Sequence, residues 1–266
     1  MSIRPSIAIA ALALSACATA QSNLATGRWI DLSHDLAEDS VFWPTAEGFK
    51  HVVASYGPTP GGWFYSSYNL ELSEHGGTHL DAPIHFAEGK QTADQIPLDR
   101  LIGQAAVIDV SAASAASAAN ADYRFTIEDV QRWERTNGRL PDGAIVLFRT
   151  GFDKRWPDKA TYLGTAERGP DAVAKLHFPG LSEEVARFLV EQRKVSAVGL
   201  DTASLDYGQS KDFIAHRILL GANIPGFENV ANLDRLPPRG AMVVALPIKI
   251  RGGSGGPLRI VARLPN

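Results

Sequence analysis

Cysteine is almost absent from this chain, which has one, Cys17, among 266 residues. A single thiol excludes an intrachain disulfide framework. Because Cys17 lies close to the amino terminus, the rest of the chain also has no thiol nucleophile. The sequence therefore belongs neither to the disulfide-stapled domains nor to the cysteine hydrolases.

An excess of positive charge is also lacking. The chain has 26 Lys and Arg against 29 Asp and Glu, a formal charge of −3 and a pI near 6.2. Nucleic-acid binding requires basic side chains concentrated on one face, and here they are scattered. We therefore predict no nucleic-acid partner and no binding to an anionic membrane surface.

Long hydrophobic runs are missing as well. The apolar run at residues 7–14 is too short to span a bilayer, but it follows Arg4 and precedes small residues, as in a secretory signal. Two processing sites compete. An A-x-A site at 18–20 makes residues 1–20 a signal peptide, whereas a lipobox-like stretch at 14–17 removes residues 1–16 and leaves a lipid on Cys17. Either site predicts export to the periplasm, with the lipid as the only membrane contact.

The composition that remains is that of an ordinary globular protein. Hydrophobic residues make up 45% and charged residues 21%, which is enough for a sizeable core. After a polar spacer at 21–27, we predict a single domain over residues 28–266. No internal repeat divides it.

Short apolar runs alternate with helical patterns along this domain. The predicted strands are at 28–33, 68–73, 105–110, 144–150, 195–201, 241–247 and 258–264. The alternation of Tyr68, Leu70 and Leu72 with polar residues predicts a half-buried strand. Helices are predicted after Thr126 and Ser182, which are good N-caps, and over 211–220. Residues 111–121 are predicted to be a surface insertion and 151–171 a long loop. The order predicts an α/β domain with a mixed sheet.

The stretch "HGGTHLDAPIHF" at 75–86 concentrates chemistry in twelve residues. His75, His79 and Asp81 are two imidazoles and a carboxylate, which Zn²⁺, Mn²⁺ and Fe²⁺ all accept. The glycines between the histidines disfavour a helix and favour a tight loop. An extended His79-x-Asp81 places both side chains on one side. Three protein ligands leave open coordination positions, as in catalytic sites.

His85 lies four residues beyond Asp81, after an Asp-Ala-Pro-Ile turn. From the residues alone, it is either a fourth ligand or a proton shuttle beside a metal-bound water.

At these residues the chain resembles the bacterial kynurenine formamidase and cyclase family, whose central motif is HxGTHxDxPxHF. The likeness extends through "DLSHDL", "LFRTGF", "PGLS", "VGLDTASLD", "AHRILL", "ENVANLDRLPPRGA" and "LPIKIRGGSGGPLRIVA". It therefore covers nearly all of the predicted domain. The resemblance implies a swivelling β/β/α fold, in which helices surround a partly barrel-like mixed sheet.

The resemblance also assigns roles to residues. It implies that His75, His79 and Asp81 bind metal and that His85 is the catalytic acid/base. It implies a second metal site from His216 and Glu228, twelve residues apart, with the aspartate bridging.

The same resemblance implies a cofactor, a substrate contact and an assembly. The cofactor is Zn²⁺ or Mn²⁺, one or two per subunit. The presence of Glu228 favours two, since isatin hydrolases resemble one-manganese enzymes that lack this glutamate. Trp43, in "VFWP", matches an aromatic position near the substrate, although a packed core Trp is the alternative. The implied assembly is a homodimer or homotetramer.

The activity implied is arylformamidase-like hydrolysis of an amide C–N bond in a small molecule, an aryl formamide or a cyclic amide such as isatin, by a metal-activated water. A lactone or ester hydrolase of the same family is one alternative. An Fe(II) oxygenase is another, because His79, Asp81 and His216 imitate a 2-His-1-carboxylate triad. A metal-binding module without catalysis is a third.

Two further features are predicted to be structural, and a third argues against another mechanism. His34, in "DLSH", is one. The "GGSGGP" stretch at 252–257 lacks the G-K-[ST] ending of a phosphate loop and is predicted to be a turn in the closing sheet. Ser204 lacks a G-x-S-x-G context, which argues against a serine nucleophile.

Overall fold

The computed structural model describes residues 27–115 and 121–265. The predicted signal peptide, Cys17 and the first six residues of the spacer lie outside the described residues, as do residues 116–120 of the predicted insertion at 111–121. No helix of the described chain has the length and apolarity needed to cross a membrane.

Strands and helices alternate along the described chain. The strands are β1 (Trp29–Asp31), β2 (Lys50–Pro58), β3 (Phe64–Glu71), β4 (His79–Asp81), β5 (Ile102–Asp109), β6 (Arg124–Phe125), β7 (Ile145–Arg149), β8 (Gly180–Leu181), β9 (Ala197–Leu200), β10 (Gly226–Glu228), β11 (Arg239–Pro247) and β12 (Gly255–Arg263). The helices are α1 (Leu98–Leu101), α2 (Ser111–Ala115), α3 (Ile127–Asn137), α4 (Lys159–Leu163), α5 (Pro170–Val173), α6 (Glu183–Phe188) and α7 (Ile214–Gly221).

The main sheet closes on itself. Its order is β1-β12-β11-β5-β7-β9-β10-β4, and β4 also pairs with β12, so seven strands form a closed barrel and β1 extends one edge. Strands β5, β7, β9 and β10 are parallel, and the remaining pairings are antiparallel. This confirms the mixed, barrel-like α/β domain.

Alternation along the central strands divides the core in two. Val107 and Leu147 join a cluster drawn from strands all round the barrel, which is its interior. Ile108 and Phe148 point the other way, into a cluster with α3, α6 and α7. Fully burying one such side chain contributes about 1.5–3 kcal/mol, so this layering supplies much of the domain's stability.

The predicted helix caps are present. The Thr126 side chain accepts the backbone N–H of Asp129, and the Asp129 carboxylate accepts that of Thr126, which forms a capping box on α3. The Ser182 hydroxyl accepts the backbone N–H of Val185 at the start of α6. Each such cap contributes about 1 kcal/mol, so local sequence determines where these helices begin.

The helix predicted over 211–220 begins three residues late, at Ile214. Phe213 has a φ of 50°, a left-handed conformation that interrupts a helix. Residues 211 and 212 form a bend instead.

The prediction of a half-buried strand at 68–73 is wrong about burial. β3 pairs with β2 in a separate two-stranded hairpin rather than joining the barrel. Tyr68 is 37% exposed and Leu70 is 56% exposed. The alternating pattern predicts that β3 has one apolar face, but it does not show what covers that face.

The prediction of an irregular loop at 151–171 is partly wrong. Asp158 accepts the backbone N–H groups of Ala160 and Thr161, which starts the five-residue helix α4. Tyr162 of that helix is fully buried. Helices this short have too few residues for a visible period, so the pattern could not predict them.

Candidate metal centre

Strand β4 carries two of the predicted ligands on the seam that closes the barrel. His79 and Asp81 are two residues apart on an extended strand, so both side chains point to the same side. They are 3% and 1% exposed. Because β4 pairs with β10 on one side and with β12 on the other, its backbone is held from both edges.

Strand β10 brings Glu228 to the same place. Glu228 lies directly opposite His79 in the antiparallel register of β10 with β4. One carboxylate oxygen, Oε2, is 3.4 Å from His79 Nε2. The other, Oε1, accepts the backbone N–H of Leu205 at 2.8 Å and lies 3.1 Å from His216 Nε2.

Helix α7 supplies His216 from its first turn. Asp206 accepts the backbone N–H groups of Ala215 and His216 at 3.0 and 3.1 Å, in place of a capping side chain at Phe213. It also lies 2.7 Å from His216 Nδ1. The ring is thereby oriented with Nε2 facing Asp81 Oδ2, 3.2 Å away.

His75 lies in the glycine-rich loop before β4. Its Nδ1 is 2.6 Å from Asp81 Oδ1. Gly77 has a φ of +61°, which glycine adopts without strain. A Cβ on Gly76 would come within 2.0 Å of the Phe42 ring, so close packing as well as backbone shape requires glycine in this loop.

These side chains form two groups that share Asp81. One group is His75, His79 and Asp81, and the other is Asp81, His216 and Glu228. In each group the potential ligand atoms lie within 4.8 Å of one another. Imidazole nitrogens and carboxylate oxygens are the ligand set of Zn²⁺ and Mn²⁺.

The hydrogen bonds around the imidazoles also fit a metal centre. His79 Nδ1 is 3.0 Å from the Gly77 carbonyl, and His216 Nδ1 is bonded to Asp206. In both rings the remaining nitrogen, Nε2, faces the carboxylates of Asp81 and Glu228. An outer partner on one ring nitrogen that leaves the other free is the usual arrangement of metal-binding histidines. The residues present therefore fit a divalent cation.

The electrostatics of the cluster point the same way. Burial lowers the pKa of His79, but its hydrogen bond to Asp81 and the charges of Asp81 and Glu228 prevail and raise the pKa to about 9. The pKa of His216 is likewise raised in spite of burial, by its hydrogen bonds to Asp206, Asp81 and Glu228. Burial raises the pKa of Glu228. For Asp81, burial is outweighed by the histidines, which hold its pKa well below its usual range. Buried carboxylates that hold protons on neighbouring imidazoles favour any cation that replaces those protons.

His85 lies beside the cluster in a 3₁₀ turn, Pro83–His85, that follows β4 directly. Its ring stacks on that of His75 with centroids 3.8 Å apart and lies 6.2 Å from the ring of His216. Burial lowers the pKa of His85 to about 4, so its imidazole is neutral at pH 7.

The cluster forms one wall of a cavity of about 260 Å³. Most of the remaining wall is apolar. The residues that line it are Val41, Phe42, Trp43, Ala46, His75, Gly76, His79, Asp81, His85, Phe86, Ala203, Ser204, Phe213, His216, Glu228 and Asn229. The structure thus brings together at one cavity all seven residues that the sequence predicted for the site.

Two contributors were missed. Asp206 was not predicted as the partner of His216, although an acid shortly before a histidine-containing helix could have suggested it. Phe213 lies 6.2 Å from Trp43 and 5.9 Å from His216 between ring centroids. Nothing in the sequence pattern distinguishes Phe213 from a core aromatic residue.

A closed mixed barrel with a shared-carboxylate metal centre in one wall of a small cavity is an arrangement that fits a metal-dependent hydrolase. The family model described as "Putative cyclase" matches residues 30–207. The chain belongs to this Cyclase family.

Individual relatives agree with this assignment. The chain is 35% identical over 223 residues to an isatin hydrolase of Roseibium aggregatum, covering 81% of this chain and 80% of that protein. It is 30% identical over 239 residues to a kynurenine formamidase of Bacillus mycoides, covering 90% and 98%. The solved structure of isatin hydrolase A from Labrenzia aggregata, bound to benzyl benzoate, superposes with a TM-score of 0.79 at 36% identity, covering 90% of this chain and 94% of that one. These relatives are hydrolases, and so is this protein.

Proposed function

We propose that this protein hydrolyses the amide C–N bond of a small aromatic carbonyl compound, either a cyclic amide such as isatin or an aryl formamide. One observation carries the proposal: two histidine–carboxylate groups share Asp81 at the base of a cavity whose other walls are aromatic and apolar. The relatives named isatin hydrolase and kynurenine formamidase support the substrate class.

We propose Zn²⁺ or Mn²⁺ as the cofactor, with two cations per subunit. Asp81 directs Oδ1 toward His75 and His79 and Oδ2 toward His216, which suits a carboxylate shared by two ions. When bound, the cations supply the Lewis acidity that polarises a water molecule and the substrate carbonyl.

His85 is proposed as the acid/base. Its neutral imidazole accepts a proton from the attacking water and delivers it to the leaving nitrogen. A new C–O bond from water replaces the C–N bond. An aryl formamide therefore gives formic acid and an amine, a cyclic amide gives one molecule that carries both a carboxyl and an amino group, and water is the only co-reactant. The stack on His75 holds the ring beside the reacting atoms.

Trp43 is proposed to contact the substrate. It lines the cavity together with Phe86 and Phe213, whose rings lie 5.3 Å apart. Three aromatic side chains around a space of this size suit a flat ring.

Two alternatives remain separable by experiment. A lactone or ester would fit the same cavity and chemistry. An Fe(II) oxygenase requires three protein ligands, whereas five converge here, so the geometry favours the hydrolase.

The test of the function combines metal analysis with a substrate panel. Protein purified without chelator is expected to carry stoichiometric Zn²⁺ or Mn²⁺ and to hydrolyse isatin or an aryl formamide faster than matched lactones and esters. Oxygen uptake with added Fe²⁺ should be absent. Metal-loaded protein that leaves every amide of the panel intact would refute the proposal.

We further propose a homodimer formed through the hairpin of β2 and β3. Of the thirteen exposed large hydrophobic side chains among the described residues, eight lie on this hairpin, namely Val52, Val53, Tyr56, Trp63, Phe64, Tyr65, Tyr68 and Leu70. The hairpin pairs with no other strand of the described chain, and an isolated two-stranded hairpin is at best marginally stable in water. Burial against a second copy would cover these side chains.

The oligomer test uses light scattering on wild-type protein and on two variants. Phe64, 61% exposed on the hairpin, is replaced by Asp, and so is Leu98, 63% exposed on α1, as the control. We expect Phe64→Asp to give monomers and Leu98→Asp to match the wild type. A wild-type monomer, or a Phe64→Asp dimer, would contradict the hairpin interface.

Export is proposed from the sequence at residues 1–20. The intact mass of the protein recovered from cell fractions distinguishes cleavage after Ala20 from lipidation at Cys17. Unprocessed protein in the cytosolic fraction would refute it.

A further inference from the structure

The stretch at 252–257, predicted to be a turn, lies against the metal centre. It connects β11 to β12, and β12 begins within it at Gly255. Closure of the barrel pairs Gly255 with Asp81 and Pro257 with His79. The residue just before β12, Ser254, is therefore brought next to the ligands.

Ser254 makes three polar contacts that link two residues adjacent in sequence. Its hydroxyl and its backbone N–H donate to Glu74 Oε2 at 2.6 and 2.9 Å. The same hydroxyl oxygen is 2.9 Å from Nε2 of His75. Glu74, Ser254 and His75 thus form a continuous chain of hydrogen bonds.

The direction of these bonds follows from the number of protons. An ionised carboxylate only accepts, and a serine hydroxyl has one proton to donate. Since that proton goes to Glu74, the hydroxyl must accept from His75, so the proton of the His75 ring is on Nε2. Nδ1, 2.6 Å from Asp81 Oδ1, is then the ring nitrogen that gives up its proton when a cation binds between His75 and Asp81.

The two ring nitrogens of His75 therefore have the reverse roles of those in the other two histidines. His79 and His216 are held at Nδ1, by the Gly77 carbonyl and by Asp206, and present Nε2 to the cluster. Without an acceptor at its Nε2, His75 would be free to place its proton on Nδ1, where it would block the cation.

The glycines on either side of Ser254 fit this arrangement. A Cβ on Gly255 would lie 2.6 Å from Cε1 of the His75 ring and 2.4 Å from the Leu80 carbonyl oxygen. A Cβ on Gly253 would lie 3.0 Å from Glu74 Oε1 and 2.9 Å from Cβ of Ile250. Side chains at these positions would displace the ring or the carboxylate.

We propose that Ser254 and Glu74 are positioning residues that fix the tautomer of His75 and make it an Nδ1 ligand of the cation held with His79 and Asp81. The proposal rests on the metal centre proposed above, and it assigns a role to the 252–257 turn.

The first test measures Zn²⁺ affinity by competition with a chelator. Ser254→Ala and Glu74→Ala are each expected to weaken binding by about 10- to 100-fold, the usual cost of losing an outer partner of a metal-bound histidine. The double variant should lose no more Zn²⁺ affinity than the weaker-binding single variant, because both substitutions break the same series of hydrogen bonds. Ser254→Thr keeps the hydroxyl and should restore most of the affinity.

Asp94→Ala is the matched control. Asp94 accepts the backbone N–H of Gly252 at 2.9 Å, at the other end of the same turn. The substitution Asp94→Ala loosens the turn but leaves the hydrogen bonds among Glu74, Ser254 and His75 in place, so Zn²⁺ affinity should remain within about twofold of wild type. Wild-type affinity in Ser254→Ala and Glu74→Ala, or an equal loss in Asp94→Ala, would overturn the proposal.

The second test needs no variant. In the Zn²⁺-loaded wild-type protein, long-range ¹H–¹⁵N spectra should show His75 protonated on Nε2, and His79 and His216 protonated on Nδ1. A proton on Nδ1 of His75 would overturn the proposal even if the Ser254 variants failed to fold. Zn²⁺ bound in this pattern without hydrolysis of any amide would refute the proposed function and leave this proposal standing.

Discussion

Two regions of the molecule place a histidine among acidic residues, with opposite results. At the metal centre, carboxylates raise the pKa of His79 to about 9 in spite of its burial. In the surface depression lined by His34, Asp153, Lys154 and Trp156, burial lowers the pKa of His34 to about 4. His34 stacks on Trp156 with ring centroids 4.2 Å apart, and its Nε2 has no hydrogen-bond partner among the described residues.

The difference lies in what each carboxylate contacts. Asp81 and Asp206 point their oxygens at imidazole nitrogens. Asp153, the acid that most affects His34, instead accepts the backbone N–H of Asn232 and pairs with Lys154. A histidine near an acid therefore indicates a metal site only where the carboxylate is directed at the ring.

Removal of a ligand at the metal centre is expected to have the largest effect on metal content and activity. We expect His79→Ala to lose both stoichiometric metal and activity, because it leaves two buried carboxylates without the imidazole between them. Elemental analysis and the amide assay measure this. His177→Ala, which alters an exposed histidine paired with Asp122, should retain both properties. Normal turnover by His79→Ala would show that this ligand is wrongly assigned.

Replacement of His85 separates acid/base chemistry from metal binding. We expect His85→Ala to keep its metal and to lose about 10²- to 10⁴-fold in kcat, the usual contribution of a general acid/base. Metal content and kcat are measured on the same preparation. If metal were lost as well, His85 would be a ligand rather than a proton carrier.

Asp206→Asn removes the charge of a carboxylate that contacts an imidazole and leaves every metal ligand in place. Loss of its charge behind His216 is expected to reduce Zn²⁺ affinity by about tenfold, because His216 becomes less basic and less firmly oriented. Chelator competition measures the change. An unchanged affinity would mean that packing of α7 alone orients the ring.

The smallest expected effect is at His34. The folded-state pKa of about 4 lies below the unfolded value of about 6.5, so the unfolded chain binds the proton first and stability is lost as the pH falls from 6.5 to 4. His34→Phe keeps the stack on Trp156 without this titration. We compare the free energy of unfolding of His34→Phe with that of the wild type at each pH. The difference is expected to favour the variant by about 1 kcal/mol more at pH 4.5 than at pH 8, a figure reduced for the partial exposure of the ring.

Urea unfolding of both proteins with EDTA present measures that difference, and the metal centre contributes equally to each. A constant difference across this pH range would mean that His34 titrates normally in the folded protein.

Much of the site could be predicted from the sequence because its ligands are close together or belong to recognisable motifs. His75, His79, Asp81 and His85 fall within eleven residues, and extended spacing alone puts His79 and Asp81 on one side. Capping chemistry likewise located the starts of α3 and α6.

Other features depended on contacts between distant parts of the chain. β12 must close against β4 before Ser254 can reach Glu74, 180 residues away in sequence. Asp206 acquires its role only because α7 folds back over it, and the apolar face of β3 remains uncovered because the hairpin leaves the barrel. Sequence by itself determined which donors were available and where the local elements begin, since both depend on neighbouring residues. Only the tertiary structure decided where each lone pair and each apolar face is directed, because barrel closure and helix packing set those directions.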